Sequence, residues 1–361
     1  MKKLVALAII SFLWNQNIIA QNIGDNSQNL IEVELIIQAD KIKIGGTLAL
    51  PETFKMSSLV IMSSGSGPQD RDETLEGFKI FKVIAEHLAS KGIASFRYDD
   101  RGVGASTGDF VNSTLDDHSK DLQGIMDYFK TTKGHSFSSF ILFGHSQGGI
   151  LAAKVAVANE SVKKVVLMAV PSVPLIEVVT YQVRQEYKGL EIPKSLIEAD
   201  VSAHNKLMRA IEDDKKIDEA YNLFRKTTES ILYKMSLDLE VDALQIEQKA
   251  TDKANEYKII YGLPSLASFL YYDPFKDLEQ LNVPVLSLFG GLDFQVPIDQ
   301  NKDRMENALL KSGTQYELKT FNNANHYFQV AGTGKREEYA TIEKSFTSNF
   351  LNQISEWILH F

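Results

Sequence analysis

Short apolar segments alternate with segments of helical spacing along most of this chain. The apolar segments are 58–62, 93–98, 140–143, 165–170 and 285–289, and a further strand is expected at 316–321. Between several of them, apolar residues recur every three or four positions, as in 78–88, 115–129 and 149–158. Strands that are apolar on both faces and separated by helices indicate a mostly parallel sheet covered on both sides. We therefore predict an α/β fold.

Two segments depart from this alternation. Residues 31–50 alternate apolar and polar side chains around Gly45-Gly46, which predicts an N-terminal β-hairpin that turns at these glycines. Residues 171–272 are charged and helix-prone and carry no strand signals. We interpret them as a helical cap inserted into one domain that spans 21–361, with its core at 28–170 and 273–361.

The first 20 residues have the pattern of a signal peptide. Lys2 and Lys3 precede an apolar run from Leu4 to Trp14, and Ala20 is a small residue before a plausible cleavage point. An apolar run of about 11 residues is too short to cross roughly 30 Å of hydrocarbon. We therefore expect an exported protein, periplasmic or extracellular, with no stable membrane insertion after cleavage.

Composition excludes several kinds of site and partner. The 361 residues include no cysteine, so disulfides, thiolate zinc sites and a cysteine nucleophile are ruled out. The formal net charge is −9, which gives no attraction to phosphate backbones or anionic lipid. We expect no nucleic-acid partner.

The pentapeptide Gly144-His145-Ser146-Gln147-Gly148 matches the pattern G-x-S-x-G. It lies directly between the predicted strand at 140–143 and an alanine-rich helix, which is the setting that a nucleophile elbow requires. We predict that Ser146 is a nucleophile. His145 is interpreted as a packing or lining residue, because neighbouring side chains on a sharp turn diverge.

A serine hydroxyl needs a base, and the base needs a carboxylate that orients it. Among seven histidines, His326 follows the strand at 316–321, and Asp293 follows the strand at 285–289. Catalytic groups gather at the carboxyl ends of such strands. Asp273 and Asp299 are alternatives, but their positions at the cap exit and on a helix favour solvated or capping roles. The order Ser146, Asp293, His326 is the one expected after a nucleophile elbow.

Two backbone N–H groups are candidates for an oxyanion hole. The N–H of Gln147 begins the helix that follows Ser146. The N–H of Ser66 lies in the glycine-rich loop 63–68, after the first strand of the parallel run. The next residues, 69–72, form a charge cluster that either stabilises this loop or belongs to the rim of the pocket.

Four motifs together resemble the α/β-hydrolase superfamily, specifically its bacterial secreted esterase-like group. They read S-G-S-G-P-x-D-R-D at 64–72, Y-D-x-R-G-x-G-x-S at 98–106, G-H-S-x-G-G at 144–149 and G-x-x-D-x-x-V-P at 290–297. The resemblance covers nearly all of the mature chain and implies hydrolysis of carboxylic esters through an acyl-enzyme, without a cofactor. In many superfamily members a histidine precedes the first glycine of the oxyanion-hole loop. In this chain that glycine is Gly65, and Ser64 precedes it.

The glycines at 102–108 nearly imitate a dinucleotide-binding fingerprint. Their third glycine comes one residue late, and no helix begins directly after the preceding strand. The resemblance implies a structural loop instead, with Arg101 paired to a carboxylate.

These observations favour a serine esterase that acts on small or medium ester substrates, with no metal and no cofactor. A serine peptidase or amidase with the same triad is the main alternative, although no clamp for a peptide end can be identified. A catalytically inactive binding protein is a further alternative, and the intact triad argues against it.

Overall fold

The alternation of strands and helices produces an eight-stranded, mostly parallel sheet, as predicted. The computed structural model describes residues 30–236 and 242–361. Its strands are β1 Leu30–Ala39, β2 Ile42–Pro51, β3 Leu59–Ser63, β4 Thr74–Leu75, β5 Phe78–Lys79, β6 Ser95–Tyr98, β7 Phe140–His145, β8 Val162–Met168, β9 Val285–Gly290 and β10 Tyr316–Phe321. The sheet order is β1-β2-β6-β3-β7-β8-β9-β10, and β4 pairs with β5 as a separate small hairpin. Only the pairings of β1 with β2 and of β2 with β6 are antiparallel within the large sheet.

Helices connect most of these strands. Their bounds are α1 Ile80–Ser90, α2 Leu115–Thr131, α3 Gln147–Val157, α4 Leu175–Glu186, α5 Lys194–Asp213, α6 Ile217–Met235, α7 Ala243–Gly262, α8 Pro264–Leu270, α9 Phe275–Leu278, α10 Ile298–Ser312 and α11 Phe350–His360, with a 3₁₀-helix at Arg336–Glu338. The predicted strand and helix positions are confirmed to within a few residues.

The core lies on both faces of the sheet, because successive side chains of a strand point to opposite sides. On β7, Phe140 and Leu142 pack into one apolar layer with α2, α3 and α10. Ile141 and Phe143 pack into the other layer with α1 and α11. Every residue of β3, β7 and β9 is buried, which explains why these strands are apolar without alternation.

The N-terminal hairpin is confirmed, but the prediction that it turns at Gly45-Gly46 is wrong. The chain reverses at Asp40 and Lys41, where Asp40 has a φ of 48°. Gly45 lies within β2 and is opposite Ile36 of β1. A Cβ on Gly45 would lie 2.4 Å from the Cβ of Ala105. A glycine is therefore needed here because the backbones of β2 and of the loop at Ala105 approach closely.

The loop after β6 is a structural loop, as the resemblance implies. Asp99 accepts a hydrogen bond from the N–H of Ala105 at 2.9 Å, and the Ser106 hydroxyl donates to the carbonyl of Asp99 at 2.8 Å. Arg101 forms two hydrogen bonds with the carboxylate of Asp121, at 2.6 and 2.8 Å. The predicted pairing of Arg101 is confirmed.

Contact density divides the described chain into two units. One unit contains Val179–Lys258, and its described elements are all helices. The other contains the sheet and its covering helices, from residues 30–178 and Ile259–Phe361. The interpretation of 171–272 as a cap stays a prediction.

The predicted signal peptide at 1–20 lies outside the described residues. Within the described ranges, no helix is both long and apolar enough to span a bilayer.

We predict that Gly45→Ala lowers the free energy of unfolding by roughly 1–3 kcal/mol, because the new methyl group overlaps Ala105 and the backbone must shift. Gly262→Ala is the control, since no atom lies within 4 Å of a Cβ placed there and the residue ends α7. Urea unfolding followed by circular dichroism should give unchanged or slightly raised stability for the control. Equal stabilities for the two variants would contradict the close approach at Gly45.

Candidate active site

Ser146 occupies a sharp turn between β7 and α3. Its φ of 50° and ψ of −119° are strained for a residue with a side chain. Glycines on both sides make the turn possible. A Cβ on Gly144 would lie 2.3 Å from the carbonyl oxygen of Gly148, and one on Gly148 would lie 2.2 Å from that of Ser63. The pattern G-x-S-x-G thus has a steric cause, and the predicted elbow is present.

Asp293 and His326 lie in the loops after β9 and β10. The Nδ1 atom of His326 is 2.7 Å from Oδ2 of Asp293, and both side chains are buried. The other carboxylate oxygen, Oδ1, accepts hydrogen bonds from the N–H groups of Gln295 and Val296, each at 2.8 Å. These bonds fix the carboxylate, which in turn fixes the orientation of the imidazole ring.

The environment of His326 favours its neutral form. Burial lowers the pKa of His326 below its ordinary value, although Asp293 opposes this shift. The neighbouring His145 lowers the pKa further. A buried neutral imidazole that is held at Nδ1 by a carboxylate can accept a proton at Nε2.

Ser146, Asp293 and His326 follow strands β7, β9 and β10, whose carboxyl ends meet at one edge of the sheet. The Nε2 atom of His145 is 3.1 Å from the carbonyl oxygen of His326, and the rings of these two residues are 4.7 Å apart. The structure therefore places the loop of His326 directly against the end of β7, beside Ser146.

The glycine-rich loop after β3 packs against the elbow. A Cβ on Gly65 would lie 3.5 Å from the Cβ of Ser146. Gln147 is the first residue of α3, and Ser66 is exposed in the loop. Within the described chain, neither the N–H of Ser66 nor that of Gln147 donates a hydrogen bond. Both groups are thus available to a ligand, as an oxyanion hole requires.

Residues 69–72 stabilise this loop, which was one of the two predicted alternatives, because the side-chain amide of Gln69 donates to the carbonyl of Ser66 at 3.1 Å and the next residues are fixed in turn. Arg71 forms an ion pair with Asp99 at 2.7 Å, and Asp72 accepts a hydrogen bond from Arg97 of β6 at 2.7 Å. Asp70 accepts hydrogen bonds from the N–H groups of Asp72 and Thr74, each at 3.1 Å.

Sequence reasoning missed the contribution of His145 and did not single out Glu73. The Oε1 atom of Glu73 is 2.6 Å from Nδ1 of His145 and accepts a hydrogen bond from the N–H of Gly65 at 2.7 Å. His145 therefore connects three parts of the site, which are the elbow, the loop of Gly65 and the carbonyl of His326. A sequence signal was present, since an acidic residue follows the D-R-D run and a histidine precedes Ser146.

The two partners of His145, a carboxylate and a carbonyl oxygen, are both hydrogen-bond acceptors. When both ring nitrogens carry protons, the ring is an imidazolium that donates to each of these two oxygens. Burial opposes this charge, but Glu73 outweighs burial and raises the pKa of His145. In its protonated form, His145 makes a buried ion pair with Glu73 beside Ser146.

The described residues contain no group of three His, Asp or Glu side chains that could hold a metal ion.

The sequence profile of the Hydrolase_4 family, described as serine aminopeptidase S33, matches residues 75–329. This chain belongs to that family. It is also 24% identical over 324 residues to esterase EstD of Thermotoga maritima, a match that covers 87% of this chain and 65% of EstD. The chain thus spans less than two thirds of the length of that relative.

Two of the solved structures that resemble this chain share its fold. An esterase from Pyrococcus furiosus is 11% identical with a TM-score of 0.55, and the match covers 94% of each chain. A proline iminopeptidase from Mycobacterium smegmatis is 12% identical with a TM-score of 0.51, covering 91% of this chain and 98% of the other. The predicted α/β-hydrolase fold is confirmed.

We predict that Glu73→Gln lowers the free energy of unfolding by roughly 3 kcal/mol or more near pH 6, because it breaks a buried ion pair. The pKa of His145 in the folded protein lies above its ordinary value of 6.5. The stabilisation is therefore fully present below about pH 6.5 and declines as the pH rises through the raised pKa. Urea unfolding from pH 5.5 to pH 9.5 should show the variant approaching the wild type at high pH.

Glu76→Gln is the matched control, since Glu76 is exposed, lies three residues away and also has a positive φ. It should change stability by less than about 0.5 kcal/mol at every pH. A loss in Glu73→Gln that grows with pH would contradict a charged His145.

Proposed function

We propose that this chain is a serine hydrolase that cleaves carboxylic esters through an acyl-enzyme. Ser146 is the nucleophile, His326 the general base and Asp293 the residue that orients the base. The observation that supports this proposal most strongly is the strained elbow of Ser146 at the same sheet edge as the buried His326–Asp293 pair. Family membership supports the serine hydrolase, and the similarity to EstD supports the choice of an ester substrate.

In the first half of the proposed reaction, Nε2 of His326 takes the proton from Oγ of Ser146 as this oxygen attacks the ester carbonyl carbon. The carbonyl oxygen becomes negatively charged and accepts hydrogen bonds from the N–H groups of Ser66 and Gln147. His326 then gives its proton to the departing alcohol. In the second half, water attacks the acyl group by the same route, and the acid leaves.

Amide hydrolysis is a second candidate, because the description of the family is that of an aminopeptidase. The same three residues would serve it, with an amine as the leaving group. Purified protein should therefore be assayed on p-nitrophenyl esters of graded acyl length and, in parallel, on aminoacyl p-nitroanilides. Faster turnover of the anilides at equal concentration would favour the peptidase and contradict the esterase proposal.

We predict that Ser146→Ala and His326→Ala each lower kcat by roughly 10⁴-fold or more, and that the double variant loses little further, because the residues act as a unit. A fluorophosphonate probe should label the wild type and fail to label Ser146→Ala. Ser172→Ala is the control, since Ser172 is a buried serine that follows β8 and donates to the carbonyl of Asn301 at 2.7 Å. Labelling that disappears in the control but persists in Ser146→Ala would overturn the assignment.

We predict that kcat/KM falls on the acid side with a midpoint below about pH 6.5, since His326 must be neutral and burial lowers its pKa. The measurement is kcat/KM from pH 4.5 to pH 9, with circular dichroism at each pH as the control for unfolding. A midpoint above pH 7 in folded protein would show that His326 is not the titrating base.

The proposal includes export of the protein to the periplasm or the medium, on the basis of the pattern of residues 1–20. Expression of the full chain in a bacterium, followed by fractionation and N-terminal sequencing, tests it. Cytoplasmic protein that retains Met1 would contradict export.

A further inference from the structure

A small cavity of about 20 Å³ adjoins the elbow. Gly65 and Gln147 line it beside the proposed oxyanion hole, and Tyr98, Asp100 and His118 line it further along. By volume it accommodates a group of about the size of one water molecule. Two of its polar side chains are unusual for a buried position.

Asp100 is a buried carboxyl group without a cationic partner among the described residues. Its Oδ2 atom accepts hydrogen bonds from the N–H of Gln69 at 2.9 Å and from the hydroxyl of Ser64 at 3.2 Å. No group in the described chain hydrogen-bonds to Oδ1. Burial raises the pKa of Asp100 to about 8, so the group is a carboxylic acid at neutral pH and can donate a hydrogen bond.

His118 is 9% exposed, and its Nε2 atom has no hydrogen-bond partner in the described chain. Its ring packs between Phe110 and Phe269, whose ring centroids are 5.3 and 6.2 Å away. Burial lowers the pKa of His118 to about 4, so the ring is neutral. A buried polar atom that stays unpaired costs free energy, which a ligand that pairs with it would recover.

We infer from the sheet order which half of a substrate faces this cavity. His326, which must protonate the leaving group, follows β10, and Asp293 follows β9; both strands lie on one side of β7 and Ser146. The cavity residues Gly65 and Asp100 follow β3 and β6, on the opposite side. When the carbonyl oxygen points to Ser66 and Gln147, the alcohol lies toward His326. With the alcohol on the side of His326, the acyl group is the half of the ester that is left on the side of Ser146 where the cavity lies.

We propose that this cavity is the end of the acyl subsite, where Asp100 and His118 bind a single hydroxyl group carried by the second or third carbon of a short acyl chain. This inference rests on the proposed ester hydrolysis. A hydroxyl group both accepts and donates, so it accepts from the carboxylic acid of Asp100 and donates to Nε2 of His118. An alkyl group of the same size leaves both polar groups unpaired.

The test compares ethyl esters that differ in one group at the same carbon. In the first series the groups differ at the second carbon, where ethyl lactate carries a hydroxyl, ethyl isobutyrate a methyl and alanine ethyl ester an ammonium group. In the second series they differ at the third carbon, in the ethyl esters of 3-hydroxybutyrate, isovalerate and 3-aminobutyrate. Both enantiomers of each chiral ester are used. Each kcat/KM, measured by pH-stat at pH 7, is divided by the rate of hydroxide-catalysed hydrolysis of the same ester, which removes differences in intrinsic reactivity.

We expect the hydroxyacyl ester of at least one series to exceed its methyl counterpart by about tenfold or more, since polar groups left unpaired discriminate strongly. Ratios at or below one in both series would overturn the subsite. Preference for the ammonium esters would also overturn it, because Asp100 would then act as a carboxylate. If the p-nitrophenyl esters are cleaved but none of these ethyl esters is, the subsite fails and the proposed function stands. If neither set of esters is cleaved, the proposed function itself fails.

Two variants test the role of His118. His118→Leu removes Nε2 and should reduce the hydroxyl-to-methyl ratio to about one. His118→Gln places an amide near the former Nε2 position and should retain part of the preference. An unchanged ratio in a folded His118→Leu enzyme would show that His118 does not bind the hydroxyl. The comparison of esters with wild-type enzyme stands even where a variant fails to fold.

Discussion

The site depends on one strained turn, in which Ser146 adopts a left-handed backbone conformation between a buried strand and a buried helix. That conformation costs free energy of order 1–3 kcal/mol and persists only where the surroundings determine it. Here the N–H of Ser146 donates to the carbonyl of Met168 on β8 at 2.8 Å, and its own carbonyl accepts from Gly149 at 3.0 Å. The turn is thus fixed by the sheet on one side and by the helix on the other.

Ion pairs fix the positions of the loops that surround this turn. Arg97 of β6 binds Asp72, and Arg71 binds Asp99, so the segment that carries Glu73 is attached to β6 and the loop after it. Glu73 can then reach both Gly65 and His145. Glu73 has a φ of 47°, so its backbone is strained as well. Such a conformation persists because the neighbouring contacts determine it.

The sequence was sufficient to predict what depends on local patterns. Continuous apolar strands, helical spacing and the glycines around Ser146 led to the parallel sheet, the elbow and the loops that contain Asp293 and His326. Contacts between distant residues were not predictable in this way. The pairing of Glu73 with His145 joins residues 72 positions apart. Gly45 was mistaken for a turn residue because its actual neighbour, Ala105, is 60 positions further along the chain.

The two histidines near the elbow show why such contacts matter to the chemistry. His145 and His326 have ring centroids 4.7 Å apart, yet their pKa values shift in opposite directions. Glu73 raises the pKa of His145 and so favours its cationic form. This cation lowers the pKa of His326, whereas Asp293 raises it. Removing the charge of His145 would remove this effect and make His326 more basic, so the charge of His145 adjusts the pKa of the proposed general base.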